Sequence, residues 1–268
     1  VTLAAARGLL ACPRCHGVLH LADAALRCAS GHGFDVARQG YVNLLGAAQP
    51  HHADTAEMVA ARDRVLRAGL YEPMAAAVVA ELGTAVEAER VLVEVGAGTG
   101  WYLSHVLDAH PRSVGVALDI SVAAARRAAR ADERIASVVA DTWARIPLMD
   151  GSVDAILCVF APRNAREFQR ILAPEGRLIV VHPNPGHLAR LRASSGLLDI
   201  DPDKAERVSD QLAAFDVTSR RIAYEIQVTA DQAADIVAMG PNAFHHRTAR
   251  VESGAVDIDV QVVTARLA

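Results

Sequence analysis

Val93-Glu-Val-Gly-Ala-Gly-Thr-Gly100 decides the fold. An apolar run of strand character ends in glycines at positions 96, 98 and 100. Glycine there permits a tight turn and a close approach of backbone to a ligand. A helix starting near Trp101 then points its free amide groups at whatever lies over the loop. A G-x-G-x-G run is weak by itself, so its surroundings matter.

Those surroundings point to a nucleoside. Asp119 ends the next apolar segment, nineteen residues past Gly100, where a carboxylate can hold both ribose hydroxyls. Asp141 ends the third segment, where a side chain can approach an adenine edge. Glu94 stands two residues before the first glycine, a position suited to the methionine end of S-adenosylmethionine, and the longer dinucleotide fingerprint G-x-G-x-x-G is absent. The expected cofactor is therefore S-adenosylmethionine, with Glu94, Gly96, Gly98, Gly100, Asp119 and Asp141 around it.

Outward from the loop, apolar strand runs alternate with amphipathic helices. Strands are expected at 90–95, 113–119, 135–140, 155–160 and 177–182, with helical segments around 101–110, 121–131 and 164–173. This alternation marks a parallel sheet covered on both faces. Two longer strands, 217–228 and 256–267, flank a helix over 231–239. The pattern fits an α/β class I Rossmann-like methyltransferase with a seven-stranded sheet whose last strand is antiparallel. Upstream, Asp54 or Thr55 caps a helix that runs to Gly69, and a second helix follows Pro73 and ends near Gly83.

The first forty residues carry different chemistry. Cys12-x2-Cys15, twelve residues, then Cys28-x3-His32 is metal-ligand spacing: two short pairs bring two knuckles to one ion. Four protein ligands leave no open position, so the expected zinc is structural, and it staples a segment too small to hold itself. His16 and His20 are less well placed nitrogens, and His51-His52 reads as a solvated linker pair. The fourth cysteine, Cys158, lies in an apolar run and reads as a buried free thiol. The divisions expected are 1–45 zinc module, 46–83 helical connector and 84–268 methyltransferase domain.

Composition narrows the rest. Hydrophobic residues are 52% of 268, enough for a large core, and no apolar run approaches the ~20 residues that span a bilayer. No basic leader precedes the apolar start, so a cytoplasmic protein with reduced thiols and no membrane partner is expected. A net charge of −4 argues against a general nucleic-acid binder. Of 27 basic residues only Lys204 is lysine, which codon bias in a GC-rich genome explains. Arg126, Arg127 and Arg130 share one helix and read first as a solvated face.

After the fourth strand stands Phe160-Ala161-Pro162-Arg163-Asn164 rather than the Asn/Asp-Pro-Pro-aromatic run of enzymes that methylate exocyclic amines. A ring nitrogen, a carbon or an oxygen stays open as acceptor. Whole-chain motifs then carry a resemblance: Phe34-Asp-Val-Ala-Arg-Gln-Gly-Tyr-Val-Asn-Leu-Leu45, Asp54-Thr-Ala-Glu-Met-Val-Ala-Ala-Arg62, Ala68-Gly-Leu-Tyr-Glu-Pro73, Ala161-Pro162 and His182-Pro-Asn-Pro-Gly-His-Leu188. Together they resemble the RlmA family of 23S rRNA guanine-N1 methyltransferases, and most nearly its macrolide-producer, tylosin-resistance branch. The resemblance implies a guanine in a domain II hairpin loop of 23S rRNA, a homodimer whose zinc modules shape an RNA cleft, and macrolide resistance. It also implies cofactor contacts at Tyr71, Tyr102, Leu103 and His187, and zinc ligation by Cys12, Cys15, Cys28 and His32. Leu103 departs from the polar residue of the other branch; a backbone contact survives that change. The target base must leave its stack and meet an aromatic ring, for which Trp101, Tyr102, Trp143 and Phe160 are candidates. The competing readings are a small-molecule methyltransferase of secondary metabolism and a non-catalytic RNA-binding module.

Overall fold

The computed structural model describes residues 2–46, 50, 53–83, 87–195, 200–201, 203–240 and 252–267. His51-His52 lies outside them. A 3-10 turn, Thr2–Ala6, leads into three short antiparallel strands, β1 (His20–Ala22), β2 (Ala25–Arg27) and β3 (Gly33–Asp35). β4 (Tyr41–Asn43) follows. Thr55 caps α1 (Ala56–Arg67) by accepting the Met58 N–H, and α2 (Glu72–Leu82) carries proline in its first turn and stops at Gly83. Proline costs nothing where the amide has no partner, and glycine supplies the positive φ beyond the end.

The larger part then alternates: β5 (Val91–Val95), α3 (Trp101–Ala109), β6 (Val114–Asp119), α4 (Val122–Ala128), β7 (Ile135–Val139), β8 (Val153–Val159), α5 (Ala165–Ile171), β9 (Leu172–Pro183), α6 (Ala189–Ser195), α7 (Lys204–Gln211), β10 (Phe215–Val228), α8 (Ala230–Ala238) and β11 (Gly254–Leu267). The sheet order is β10-β11-β9-β8-β5-β6-β7-β4. β11 runs antiparallel to both neighbours, and the strands from β9 to β4 are parallel. The chain builds outward from β5 in one direction and then from β8 in the other, so the topological switch lies between them. The glycine loop leaves β5 there, beside the Phe160 loop leaving β8.

The seven strands expected all form, as β5 to β11, with β11 antiparallel. Among the described residues the main sheet carries an eighth, which the sequence reading did not anticipate. Tyr41–Asn43 pairs with β7 in parallel, Val42 opposite Val138. A three-residue strand has too few positions to show alternation, so the sequence reads there as a junction.

Alternation along the strands sorts the core into two layers. Val93, Val95, Val116 and Leu118 face one side, with Leu3, Leu10, Leu19, Val42 and Phe168. Leu92, Ala117, Leu157 and Val159 face the other, with Val65, Met74, Val78, Leu103 and Ile236. The zinc module is thus part of the first layer. The crossover from β7 to β8, residues 140–152, contains no helix. Ala11 N–H donates to Pro147 at 3.0 Å and Met149 N–H to Leu9 at 2.9 Å, so the module covers the face a crossover helix would cover.

Candidate active site and metal centre

The zinc ligands converge. The Cys12, Cys15, Cys28 and His32 donor atoms all lie within 4.8 Å of one another. Cys15 Sγ is 3.5 Å from Cys28 Sγ, and His32 Nδ1 is 3.4 Å from Cys28 Sγ and 3.5 Å from Cys12 Sγ. A tetrahedron with Zn–S near 2.3 Å and Zn–N near 2.0 Å has edges of roughly 3.5–3.8 Å, so the donor set fits. The first knuckle closes through His16 N–H on the Cys12 carbonyl at 2.8 Å, with His16 at φ 62°. The second closes through Gly31 N–H on the Cys28 carbonyl at 3.0 Å. Hydrogen bonds from the Ser30 side chain and the Gly17 backbone hold the Cys15 thiol down to about 6. Burial pushes Cys12 the other way, a cost that metal coordination removes by displacing the proton. His16 and His20 stand outside the cluster.

At the carboxyl ends of β5 and β6 a second cluster forms. Leu103 N–H donates to Glu94 Oε2 at 3.2 Å, and Gly98 N–H and Ser121 N–H donate to the two Asp119 oxygens, both at 2.8 Å. Glu94 is 1% exposed, and burial pushes its carboxyl up to about 8 against the pull of Leu103 N–H. Burial also raises Asp119, whose two amides pull it back. A carboxylate has about four acceptor sites, so two remain free on Asp119. Tyr71 is 1% exposed and its hydroxyl has no hydrogen-bond partner. Buried polar atoms are normally paired, so this phenol awaits one. Tyr102 is buried, within electrostatic reach of Tyr71 and Glu94. Two buried carboxyls and an orphan hydroxyl beside glycines suit a cationic ligand with a ribose.

Arg62 went unread in the sequence as a site residue. It ion-pairs with Asp54 and donates to the Met239 carbonyl at 2.7 Å. A Cβ on Gly98 would stand 3.1 Å from its guanidinium. It therefore roofs the glycine loop and lowers the carboxyls below it. The i, i+8 pairing of Asp54 with Arg62 at a helix start was the available signal.

Asp141 and His187 lie apart from this cluster in the hydrogen-bond network. Asp141 Oδ1 accepts the Trp143 N–H at 2.8 Å. His187 Nδ1 accepts the Asp259 N–H at 3.3 Å, and its ring centroid is 5.5 Å from that of Phe160. Burial holds the His187 imidazole down to about 4 and lowers His182 as well. Asp259 anchors the loop bearing His187: Arg221 donates to both its oxygens at 2.8 Å and Asn184 Nδ2 donates at 2.9 Å. Sequence reading missed this trio; the only signal was an acid inside an apolar strand. The aromatic candidates divide by exposure. Tyr102 is buried, Trp101 packs at a tilt against His105, and Phe160, just past β8, and Trp143, in the crossover after β7, are exposed. Cys158 is buried and free, pushed up to about 12 by burial. Arg126 and Arg127 lie on α4, and Arg130 falls beyond its end in the turn that follows, so the three do not share one helix; Arg127 pairs with Asp63.

Glycine loop, strand-end acids and sheet order together define a class I S-adenosylmethionine-dependent methyltransferase, here carrying a zinc ribbon. The comparisons agree and go further. Residues 10–52 match the zinc-ribbon family described as "RlmA, N-terminal", and residues 93–180 match a methyltransferase domain family. A Micromonospora griseorubida protein named for 23S rRNA (guanine-N1) methylation is 46% identical over 90% of this chain and 89% of its own length. The Streptomyces fradiae 23S rRNA (guanine(748)-N1)-methyltransferase is 44% identical over 88% of this chain and 86% of its own. The Bacillus subtilis protein YxjB is 32% identical over 68% of this chain and 66% of its own length. The chain belongs to the family of 23S rRNA (guanine-N1)-methyltransferases. Among the described residues no helix is long and apolar enough to cross a membrane.

Proposed function

We propose that this chain methylates N1 of the guanine corresponding to position 748 of 23S rRNA, in a domain II hairpin loop, and so confers resistance to tylosin-type macrolides. The observation that carries the reading is its 44% identity to the guanine-748 enzyme over 88% of the chain. When bound, S-adenosylmethionine supplies a methyl group activated by its sulfonium charge. Glu94 binds the methionine end and Asp119 the ribose hydroxyls, while Asp141 approaches the adenine. Gly96, Gly98 and Gly100 let backbone meet the cofactor, Leu103 contributes backbone, and Tyr102 and the orphan hydroxyl of Tyr71 close the site.

On the acceptor side, Phe160 offers an exposed ring to a guanine turned out of its loop, with His187 packed against it. His187 also borders the cofactor. Guanine N1 carries a proton at neutral pH, so a base must take it; Asp141, His182 and His187 are the titratable groups at these strand ends. Residues 1–45 act as the RNA-recognition module, joined through 46–83 to the catalytic 84–268, and the working unit is a cytoplasmic homodimer.

Transfer of labelled methyl to domain II fragments, followed by mapping of the modified base, tests the proposal. Label at N1 of the loop guanine is the expected result. Turnover of a small metabolite with no label in RNA would reject it.

A further inference from the structure

Trp143 is 60% exposed, although tryptophan is highly buried on average. Its backbone is not loose. Asp141 accepts its N–H at 2.8 Å, and Asn164 Nδ2 donates to the Thr142 carbonyl at 3.0 Å and the Trp143 carbonyl at 3.2 Å. The indole is therefore held out on a fixed support between the β7 end and the start of α5.

Beside it opens a cleft of about 700 Å3, lined by Trp143, Arg145, Asn164, Arg166, Gln169 and Arg170. Its charges are unequal. Glu167 is neutralised by Arg170 at 2.5 Å. Asp150, at the surface, pairs with Arg170 at 2.6 Å and with Arg145 at 3.2 Å. Arg166, on α5, is exposed, and its side chain has no hydrogen bond or ion pair among the described residues. In a chain of net charge −4, an exposed indole lining one cleft with the exposed Arg145 and Arg166 is a local departure that suits an anionic partner with flat rings. The same crossover hydrogen-bonds to the zinc module at Pro147 and Met149, so one segment, residues 140–152, carries both the indole and the contact with the ribbon.

We infer that Trp143, Arg145 and Arg166 hold an unpaired nucleotide flanking the target guanine, the indole stacking on its base and the guanidinium groups meeting adjacent phosphates. The inference rests on the RNA reading above and adds a second subsite to it. Stacking on an aromatic ring tolerates any base, because every base has a π-face. The cleft thus fixes the position of the loop and leaves the choice of guanine to the acceptor pocket.

The chain has two tryptophans, so a Trp101→Phe variant leaves Trp143 as the only indole reporter. Titration with the domain II stem-loop should quench its emission and shield it from acrylamide. The same RNA closed into full duplex should do neither. Trp143→Ala should raise KM for RNA about 10-fold with cofactor Kd unchanged, and Trp143→Phe should recover most of that loss. Arg145→Ala with Arg166→Ala should flatten the log–log salt dependence of RNA binding by about 1.4, two phosphates at ~0.7 each. Unchanged Trp143 emission with wild-type KM in Trp143→Ala, while wild type methylates the loop, overturns the subsite and leaves the proposed function standing. Absence of RNA methylation by wild type removes both. Emission that shifts with protein concentration in the absence of RNA assigns the cleft to contact between copies of this chain and overturns the inference.

Discussion

A methyl group added to Gly96 would stand 2.6 Å from the Cβ of Ala161. The loop leaving β5 and the loop leaving β8 are therefore in van der Waals contact, the first proposed above to meet the cofactor and the second the acceptor base. Gly96 also holds φ at 61°, where a side chain is strained. Gly96→Ala should cost about 1–3 kcal/mol of stability and weaken cofactor binding, measured by urea melts and calorimetry. Equal stability to wild type would contradict the contact.

Glu94 sets a pH dependence. Its folded carboxyl is raised to about 8 from an ordinary 4.5, so the cofactor-free folded state holds the proton more tightly than the unfolded chain. Stability from this group is full below about 4.5 and is lost as pH rises through about 8. A cationic cofactor prefers the ionised carboxylate, so its affinity should climb with pH up to about 8. Glu94→Gln should flatten both trends, which thermal melts and binding isotherms across pH 5–9 would reveal.

Asp119 accepts two backbone amides as well as facing the loop. Asp119→Ala removes the proposed ribose contact and leaves the Gly98 and Ser121 amides unpaired. Hydrogen bonds to charged groups contribute about 1.5–3 kcal/mol, or roughly 10- to 150-fold in cofactor affinity. Calorimetry returning an unchanged Kd would refute this placement.

Zinc removal should reach beyond the ribbon. Cys12, Leu10 and Leu19 share a core with Val116, Leu118 and Val138 of the sheet. Chelation, or Cys12→Ser, should lower the single melting transition of the whole chain by several degrees, since ~1–3 kcal/mol shifts a domain of this size by a few degrees per kcal/mol. A ribbon that melts alone, with the sheet transition unmoved, would speak against a common core.

Much of this was legible in order. Val93 to Gly100 announced strand, loop and helix because a buried strand needs a continuous apolar run and the turn needs glycine. The strand-end acids Asp119 and Asp141 fell where period and length put them, and the Cys-x2-Cys pair named its metal by spacing alone. What stayed hidden depends on distant partners. Tyr41–Asn43 becomes a strand only because β7 offers an edge. Arg62 matters only once Gly98 is brought beneath it. Asp259 looks like an outward acid until Arg221 and Asn184 close on it. Helix lengths were overdrawn, as with α4, which stops at Ala128 rather than 131, because alanine-rich flanks carry no stop signal.

β4 also decides what the chain can lose. Removing the first 45 residues would strip a strand from β7 and bare its row of unpaired amides and carbonyls along the flank of a parallel sheet, together with the apolar surface under Leu10 and Leu19. A trimmed catalytic half would present a sticky border to its own copies. The metal-bearing segment is thus a hem sewn into the fabric rather than a badge pinned on it.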